Sequence, residues 1–496
     1  MVIRHLAVCA VMFVSAAIPA TVQAQEKPAP APAAAAPAAP QDAKTLLANV
    51  AKAMGSESVK TIQYSGSGTN AGIGQNRNPV ADWPLVRVKS YSREFDFNTP
   101  GAPTSRTQLV RLQGGAEQKQ EQTVLSTAPW GQQYDVWLSP FAFLKGAMAN
   151  NTTIESKTVL GIPYTVATFT LQNKYKVSGY IDDKNMIHKV ETWIDNPVFG
   201  DLKVEAFYTD YKDFTGVKFP TTIINKQDGR NTLILVVNEV KPNAAVSIQA
   251  PAPAQAAPAA PAAVTVQSEE VAPGVFYLRG GSHHSVAVEF SDHIAVIEAP
   301  QSEERSLAVI REVRRAVGRK PIRYLINTHH HFDHSGGLRA YVEAGATIVT
   351  HEVNKAFYER VLSPTAPRTL NPDRLALAKK APELKIDTVG DKKVMSDKTR
   401  TIELHLVKDN PHNDGILMAY LPAEKILIEV DLYTPLVADA KPPVPVSPNT
   451  TNLLTNIERL KLDVEKILAL HGPGVATKAD LYRFAGKPLP AAPPGN

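Results

Sequence analysis

Polar and apolar residues alternate along much of residues 42–246, and such alternation predicts half-buried β-strands. The segment opens differently, with a predicted helix over Ala43–Met54, because Asp42 can cap its start and Gly55 can end it. Strand-like runs such as YTVATFTL and YKVSGYI follow, with a predicted hairpin around Asp182–Asn185. The first half is therefore predicted to be a mainly antiparallel β domain with one early helix.

Residues 264–488 change to a different pattern, in which strand-like and helix-like segments take turns. The runs VFYLRGG, SVAVEF and HIAVIEA predict strands. An amphipathic helix is predicted from about Glu303 to Val317, with Leu307, Ile310 and Val313 facing inward. Alternation of this kind predicts a layered α/β domain.

The start of the chain has the features of an export signal. Arg4 precedes an apolar run over Leu6–Ile18, and small residues follow up to Ala24. This is typical of a secretory signal peptide, residues 1–24, so we expect a periplasmic or secreted protein. A retained membrane anchor is the alternative, but the run is too short to span a bilayer, and we expect no stable membrane insertion. The single cysteine, Cys9, lies within this run, so the mature chain would offer neither a disulfide nor a thiolate ligand.

Two segments built almost only from Ala and Pro, within residues 25–41 and 247–263, predict extended linkers. They would separate the two domains 42–246 and 264–488, and a short tail, residues 489–496, would follow. The formal charge of +5 is a mild excess for 496 residues, without a dense Lys/Arg block. We therefore expect no nucleic-acid partner.

Histidines cluster in the second half, where 11 of the 13 lie between His283 and His471. The densest stretch is INTHHHFDHSGG, residues 326–337, whose Gly336–Gly337 pair would permit a tight turn into the next helix. Histidine and aspartate side chains are suitable ligands for Zn, Fe or Mn. Zinc is the default expectation when no thiolate is available.

Spacing within this stretch indicates which side chains could bind a metal. His329 and His331 are two positions apart at the end of a predicted strand, so their side chains should leave on the same side. His330 should point the other way and is not expected to be a ligand. Asp333 and His334 follow where the chain turns, within reach of the same region.

The stretch THHHFDHSGG resembles the H-x-H-x-D-H signature of the metallo-β-lactamase superfamily, and the resemblance extends from about Val264 to Gly474. It implies an αβ/βα sandwich with metals at the edge of two sheets. It also implies three later ligands: a histidine before a strand, an aspartate at a strand end and a histidine before a glycine. His412, Asp431 and His471 match these positions.

The resemblance implies a dinuclear site holding two Zn²⁺, with Fe or Mn as alternatives. Asp431 would bridge the metals, one held by His329, His331 and His412 and the other by Asp333, His334 and His471. His405 competes with His412, but it lies inside a predicted strand, whereas His412 lies beside a turn.

The bridging carboxylate narrows the expected reaction. Within the superfamily that the sequence resembles, an Asp at the position of Asp431 is typical of thioesterases, lactonases and phosphodiesterases. True β-lactamases usually carry Cys or Ser there. Two cations can share a hydroxide, oriented by Asp333, and polarise a carbonyl or phosphoryl oxygen. We expect an exported dinuclear zinc hydrolase of small molecules with an ester-like bond (thioester, lactone, phosphodiester or β-lactam).

Two alternative functions remain open at this point. One is an iron-dependent sulfur dioxygenase, a class built on the same signature. The other is a lipid-binding carrier whose second domain is degenerate.

The strand order GYID…IHKVETWI…VEAFYTDYKDF…GVKFPTTI in the first half resembles periplasmic lipoprotein-carrier-like half-barrel domains. That resemblance implies a concave surface for a lipid or substrate chain. A sheet that stabilises the protein or mediates self-association is the alternative.

Four further residues complete the expectations for the site. His283 and His284 fall on a loop that often borders this type of site, where they could bind substrate or serve as ordinary loop residues. Tyr433 is a candidate for the acid that protonates the leaving group. Glu298 stands where the superfamily usually has an Asp that supports the metal-binding loop, so a change in the local geometry is expected.

Overall fold

The computed structural model describes residues 42–249, 264–435 and 441–490. The predicted signal peptide, the linker 25–41 and most of the second linker and of the tail lie outside the described residues. From Asp42 onward the chain forms one compact unit. Within the described ranges, no helix combines the length and the apolar character needed to cross a membrane.

An 11-stranded antiparallel sheet dominates the first half, and its spatial order is β4-β3-β2-β1-β11-β10-β9-β8-β7-β6-β5. Pairing of β1 with β11 joins two meanders into one sheet. The strands are β1 (Thr61–Ala71), β2 (Leu85–Asp96), β3 (Thr104–Gln113), β4 (Ala116–Val124), β5 (Thr153–Val159), β6 (Ile162–Leu171), β7 (Tyr175–Ile181), β8 (Ile187–Asn196), β9 (Gly200–Phe214), β10 (Val217–Gln227) and β11 (Arg230–Pro242).

The early helix α1 (Ala43–Met54) is confirmed together with its caps. Asp42 accepts a hydrogen bond from the Thr45 amide, and Gly55 ends the helix in the left-handed conformation with φ 66°. The structure adds two helices that the pattern did not predict, α2 (Trp130–Trp137) and α3 (Pro140–Ala149). They pack against the sheet and share its core with α1.

Two sheets form the second half. A 7-stranded sheet contains β12 (Gln267–Ala272), β13 (Val275–Arg279), β14 (Ser285–Glu289), β15 (Ile294–Ile297), β16 (Ile322–Ile326), β17 (Thr347–His351) and β18 (Ile386–Val389) in that order. A 6-stranded sheet contains β19 (Lys392–Ser396), β20 (Thr401–Leu406), β21 (Leu417–Leu421), β22 (Ile426–Glu429), β23 (Lys466–Ala469) and β24 (Val475–Thr477). A shared apolar core joins the two sheets face to face.

Helices cover this pair of sheets, which confirms the predicted αβ/βα sandwich. They are α4 (Glu303–Ala316), α5 (Phe332–Ser335), α6 (Leu338–Glu343), α7 (Lys355–Val361), α8 (Arg374–Leu377), α9 (Pro448–Leu460) and α10 (Lys478–Phe484), with a 3₁₀ turn at Glu352–Asn354. α4, α6 and α7 share a core with the 7-stranded sheet. α9 and α10 pack with the 6-stranded sheet.

The predicted helix over Glu303–Val317 is present as α4, but its buried face differs in part from the expectation. Ile310 and Val313 are buried as predicted, whereas Leu307 is half-buried. Arg305 is buried instead, with 2% of its surface exposed, and its guanidinium donates to the His283 carbonyl oxygen at 3.0 Å. A charged residue therefore packs inward because it holds a loop that borders the candidate site.

Parallel strand pairs set the position of the candidate site. β15 pairs with β16 in one sheet, and β22 pairs with β23 in the other. Parallel strands end at the same edge of a sheet, so the residues that follow them are brought together. An isolated β-bridge between His283 and His471 joins the two sheets at this edge.

Candidate metal centre

The structure brings all of the predicted ligands to this edge, each on a loop or short helix at the end of a strand. The stretch containing His329 and His334 follows β16, His412 lies between β20 and β21, Asp431 follows β22 and His471 follows β23. The side chains form two groups, within each of which the potential ligand atoms lie within 4.8 Å of one another. The first group is His329, His331, His412 and Asp431, and the second is His283, Asp333, His334 and His471.

Asp431 contacts histidines of both groups. Its Oδ2 lies 3.2 Å from His329 Nε2 and 3.1 Å from His412 Nε2, both of the first group. The same oxygen lies 3.1 Å from His334 Nε2, and Oδ1 lies 2.8 Å from His471 Nε2, both of the second group. One carboxylate is therefore shared by the two groups, as the bridging role requires.

One buried ring nitrogen of the first group, His331 Nδ1, has no hydrogen-bond partner among the described residues, whereas His329 Nε2 and His412 Nε2 face Asp431 Oδ2 at 3.2 and 3.1 Å. Leaving a buried polar atom unpaired is costly, so such atoms call for a partner of another kind. Imidazole nitrogens together with a carboxylate are the donor set that zinc and similar divalent cations prefer. The residues present therefore fit a bound metal.

Electrostatics keep His329, His331 and Asp431 in the protonation states that metal binding needs. Burial and the neighbouring His412 lower the pKa of His331 to about 4. Burial and His331 also hold the pKa of His329 well below its usual value. Burial of Asp431 acts to raise its pKa, but the charge of His334 and hydrogen bonds from the histidines lower it well below its usual value. Near neutral pH the first group thus offers neutral imidazoles at His329 and His331 and an ionised carboxylate at Asp431. In the second group, burial acts to lower the pKa of His334, but the charge of Asp431 and hydrogen bonds to Asp431 and Glu298 raise it well above its usual value.

His283 belongs to the second group, although the sequence indicated only a substrate-binding or ordinary loop residue at this position. Its Nε2 lies 3.4 Å from Asp333 Oδ2, and its ring lies 4.1 Å from the ring of His471, centroid to centroid. The hydrogen bond from Arg305 to its carbonyl oxygen holds its loop in place. The structure therefore adds His283 as a potential ligand.

Glu298 stands behind the second group and supports it directly. Its carboxylate is fully buried; Oε2 accepts a hydrogen bond from His334 Nδ1 at 2.9 Å, and Oε1 accepts one from the Thr328 amide at 2.7 Å. Because Nδ1 of His334 carries this proton, Nε2 is left to face Asp431. The longer side chain of Glu298 therefore still reaches the metal-binding loop.

Two other histidines near the motif are occupied by protein groups. His330 donates from Nε2 to Asn76 Oδ1 at 3.1 Å and has Asn413 Nδ2 at 3.3 Å from Nδ1, so neither nitrogen is directed at the groups. His405 lies within β20 and bonds to Glu403 at 3.0 Å. Of the two candidates for the third ligand of the first group, the structure places His412 there.

His284, a candidate for substrate binding or for an ordinary loop residue, and Tyr433, the candidate leaving-group acid, both have structural contacts. Both ring nitrogens of His284 bond to the backbone, Nε2 to the Gly472 carbonyl at 2.9 Å and Nδ1 to the Gly280 amide at 3.2 Å. Tyr433 is buried in the core of the sandwich, where its ring packs against Phe484. His284 therefore holds loops together, and Tyr433 contributes to the core.

The Gly336–Gly337 pair is required for a different reason from the one expected. Neither residue has a positive φ, since the values are −61° and −103°. Instead, an added Cβ at Gly336 would lie 2.1 Å from the Gln301 carbonyl oxygen, and one at Gly337 would lie 2.0 Å from Ser306 Oγ. The glycines permit close packing of the metal-binding segment on α4 and the residues before it.

The first half of the chain also reaches the site, a contact that the sequence pattern did not indicate. Gln75 Nε2 donates to Asp333 Oδ1 at 3.0 Å, and the Asn76 carbonyl oxygen lies 2.9 Å from His331 Nε2. The bond from His331 to this carbonyl leaves Nδ1 as the nitrogen free for a metal. No motif marks Gln75 and Asn76, and they precede the histidines by about half of the chain.

Residues 278–427 match the family model described as the metallo-beta-lactamase superfamily, whereas a search of curated proteins gave no match. Among solved structures, the chain is similar to a metallo-beta-lactamase from Pontibacter korlensis at 16% identity, covering 45% of this chain and 98% of that chain, with a TM-score of 0.34. It is also similar to the metallo-β-lactamase FIM-1 from Pseudomonas aeruginosa in its mono-zinc form, at 18% identity. That match covers 46% of this chain and 96% of that chain, with a TM-score of 0.34. A third similar structure is rubredoxin oxygen:oxidoreductase from Desulfovibrio gigas, at 18% identity. That match covers 44% of this chain and 59% of that chain, with a TM-score of 0.34.

Proposed function

We propose that this chain, whose residues 278–427 match the metallo-β-lactamase superfamily model, is a dinuclear zinc hydrolase that acts on an ester-like bond. The observation that carries the proposal is the position of Asp431. Its two carboxylate oxygens contact histidines of both candidate ligand groups, at 2.8–3.2 Å. A carboxylate shared in this way supports two cations side by side rather than one.

Two cations in these groups would supply Lewis-acid polarisation of a substrate oxygen and would lower the pKa of water. The protein supplies orientation. Asp333 is held by Gln75 at Oδ1, so Oδ2 remains directed towards His283 and His334, where it can accept a hydrogen bond from the attacking water. Burial acts to raise the pKa of Asp333, but hydrogen bonding to His283 and the charge of His334 lower it overall, so this carboxylate is ionised at neutral pH.

Partial exposure of the later ligands gives the substrate an approach. His329 and His331 are almost fully buried, whereas the side chains of His412 and His471 are 22% and 20% exposed. The Asp333 side chain is 37% exposed, so a substrate would reach the site from the side of Asp333, His412 and His471. An aspartate at position 431, where true β-lactamases usually carry Cys or Ser, favours thioesters, lactones or phosphodiesters over β-lactams.

The test is a panel of lactone, thioester, phosphodiester and β-lactam substrates, assayed with the zinc-loaded full-length chain. Asp333→Ala should lower kcat/KM for any accepted substrate by about 10²- to 10⁴-fold, the usual range for losing a group that positions or transfers a proton. His188→Ala is the matched control, because His188 pairs with Asp182 on the first-half sheet and should leave turnover unchanged.

Two results would contradict the proposal. One is hydrolysis that persists at the wild-type rate in Asp333→Ala and in His331→Ala. The other is a single firmly bound iron together with oxygen consumption in the presence of a persulfide, which would favour the sulfur dioxygenase alternative.

A further inference from the structure

The loop between β1 and β2, residues 72–84, is longer than the sheet requires. Ala71 and Leu85 are register partners in the antiparallel ladder, so a two-residue turn could connect the strands without changing their pairing. The additional residues leave the sheet and pack on the metal-binding loops of the second half. We call this segment the 72–84 loop.

The 72–84 loop contacts both ligand groups. The Asn76 carbonyl oxygen lies 2.9 Å from Nε2 of His331, in the first group. Gln75 Nε2 donates to Oδ1 of Asp333, in the second group, at 3.0 Å. Hydrogen bonds of this kind fix the tautomer of a ligating histidine and the orientation of a ligating carboxylate.

The loop is tied to the segment that carries His412. Arg77 Nε lies 2.6 Å from Asp414 Oδ1, and Asn78 Nδ2 donates to Asp414 Oδ2 at 2.8 Å. The Asp414 amide donates to the Arg77 carbonyl at 2.8 Å, and an Arg77 guanidinium nitrogen donates to the Asn410 carbonyl at 3.2 Å. The loop therefore holds the 410–414 segment and the histidine motif in one arrangement.

The loop also has a fixed conformation of its own. Asn76 Nδ2 donates to the carbonyls of Asn78 and Ala81, at 2.6 and 3.1 Å. Arg230, at the start of β11, donates to the carbonyls of Pro79 and Ala81, at 2.7 and 3.1 Å. A segment stabilised in this way can present Gln75 and the Asn76 carbonyl at constant positions.

Close packing completes the contact. Gly74 has φ 78°, and a Cβ added there would lie 2.4 Å from the Phe332 ring, between the ligands His331 and Asp333 in sequence. The Trp83 ring meets the same phenylalanine edge-on, with centroids 6.3 Å apart. The glycine thus lets the loop backbone lie directly on the motif.

We propose that the 72–84 loop is a structural part of the metal centre, in which Gln75 is a positioning residue for Asp333 and the Asn76 carbonyl sets the tautomer of His331. The inference rests on the metal centre proposed above. In this role, the 72–84 loop of the first-half sheet donates and accepts hydrogen bonds that raise the metal affinity of the site in the second half.

The experiment measures stepwise Zn²⁺ affinity of the chelator-stripped full-length chain by competition with a chromophoric chelator, and visible spectra with Co²⁺. Gln75→Ala should lower the affinity of one of the two steps by about 10- to 100-fold, since Asp333 loses its orienting partner. Replacing residues 72–84 with Asn-Gly should weaken both steps and change the Co²⁺ spectrum. Val80→Ala is the matched control, because the Val80 side chain is 88% exposed in the same loop and should leave both steps unchanged.

Thermal unfolding of the metal-free variants shows whether each is folded. Gln75→Ala removes one half-buried polar contact and should fold even if the loop replacement does not. Wild-type affinity at both steps in a folded Gln75→Ala chain would overturn the assignment of Gln75. Wild-type affinity in a folded loop replacement would overturn the inference as a whole. Failure of the parent chain to bind Zn²⁺ would instead overturn the proposed function, and the loop inference with it.

Discussion

At the scale of single residues, hydrogen bonds to the non-ligating atoms decide how the ligands point. Glu298 holds Nδ1 of His334, and the Asn76 carbonyl holds Nε2 of His331, so each imidazole is left with one nitrogen for a metal. Arg305, buried beneath Gly280, acts one step further away by holding the His283 carbonyl. The geometry of the site thus depends on residues that do not themselves bind metal.

Glu298→Gln tests this dependence. The variant keeps the side-chain volume but removes the charge that accepts from His334 Nδ1 and the Thr328 amide. Zn²⁺ affinity should fall by about 10- to 100-fold, as measured by chelator competition. Glu289→Gln, on a surface pair with Lys320, should bind Zn²⁺ like the wild type. Equal affinities in the two variants would show that Glu298 does not support the site.

His329, His331, Asp333 and His334 could be predicted at this scale, because their spacing at a strand end is a property of local sequence. The resemblance to the metallo-β-lactamase superfamily was needed to predict His412, Asp431 and His471. His283 was harder to assign, since a histidine in a loop has no spacing partner nearby and reaches the second group only through the bridge to His471. Tyr433 lies two positions after Asp431 in the segment that follows β22, yet its side chain is buried in the core. Sequence proximity to a ligand therefore did not predict proximity to the site.

At the scale of elements, a buried charge cluster connects the helices behind the site to the first-half sheet. Asp373, which caps α8, accepts from Arg339 of α6 at 2.5 and 3.1 Å and lies 3.2 Å from Arg368 Nε. Arg368 also donates to the carbonyls of Pro197 and Val198, after β8, at 2.8 and 2.9 Å. These side chains are 3–7% exposed, so the charges are compensated mainly by one another.

Asp373→Ala should therefore destabilise the fold strongly. Removing one partner of a buried ion pair leaves unpaired charge inside, which typically costs about 3–5 kcal/mol of the free energy of unfolding. Burial acts to raise the pKa of Asp373, but hydrogen bonds from Arg339 lower it overall. The cluster's contribution is present above about pH 3.9, the unfolded carboxyl pKa, and is lost as the pH falls below it.

Denaturant unfolding at neutral pH measures this effect. Asp387→Ala is the control. Asp387 and Lys393 form an ion pair, and their side chains are 39% and 29% exposed, so the pair should contribute about 1 kcal/mol or less to the free energy of unfolding. A similar small loss in both variants would contradict the account of the Asp373 cluster.

The elements that the pattern predicted and those it missed differ in physical character. α1 has an apolar face and both caps, and each strand run with clear alternation is present. α3 was missed because Phe141–Leu144 are consecutively buried, so the helix has no polar face to give a period of 3.6. β4, with the sequence AEQKQEQTV, was missed because an edge strand exposed on both faces has no apolar alternation.

At the scale of the whole molecule, the first-half sheet and the sandwich pack against each other around the site. The Phe199 ring meets Phe332 of the motif edge-on at 5.4 Å, and Asp228 pairs with Arg360 at 3.1 Å. The Asp201 amide donates to the Pro367 carbonyl at 2.9 Å. None of these contacts follows from local sequence, because each joins residues more than 100 positions apart whose types are ordinary on any surface.

The proposed function requires that the two groups around Asp431 bind two metals. A Zn²⁺ titration of the chelator-stripped full-length chain, for the wild type and for Asp431→Ala, tests this directly. Elemental mass spectrometry counts the bound metal. We expect about two equivalents per chain in the wild type. Asp431→Ala should lose at least one tight site, because the shared carboxylate contributes to both groups. A single equivalent in the wild type, or two equally tight equivalents in Asp431→Ala, would contradict a dinuclear centre around Asp431.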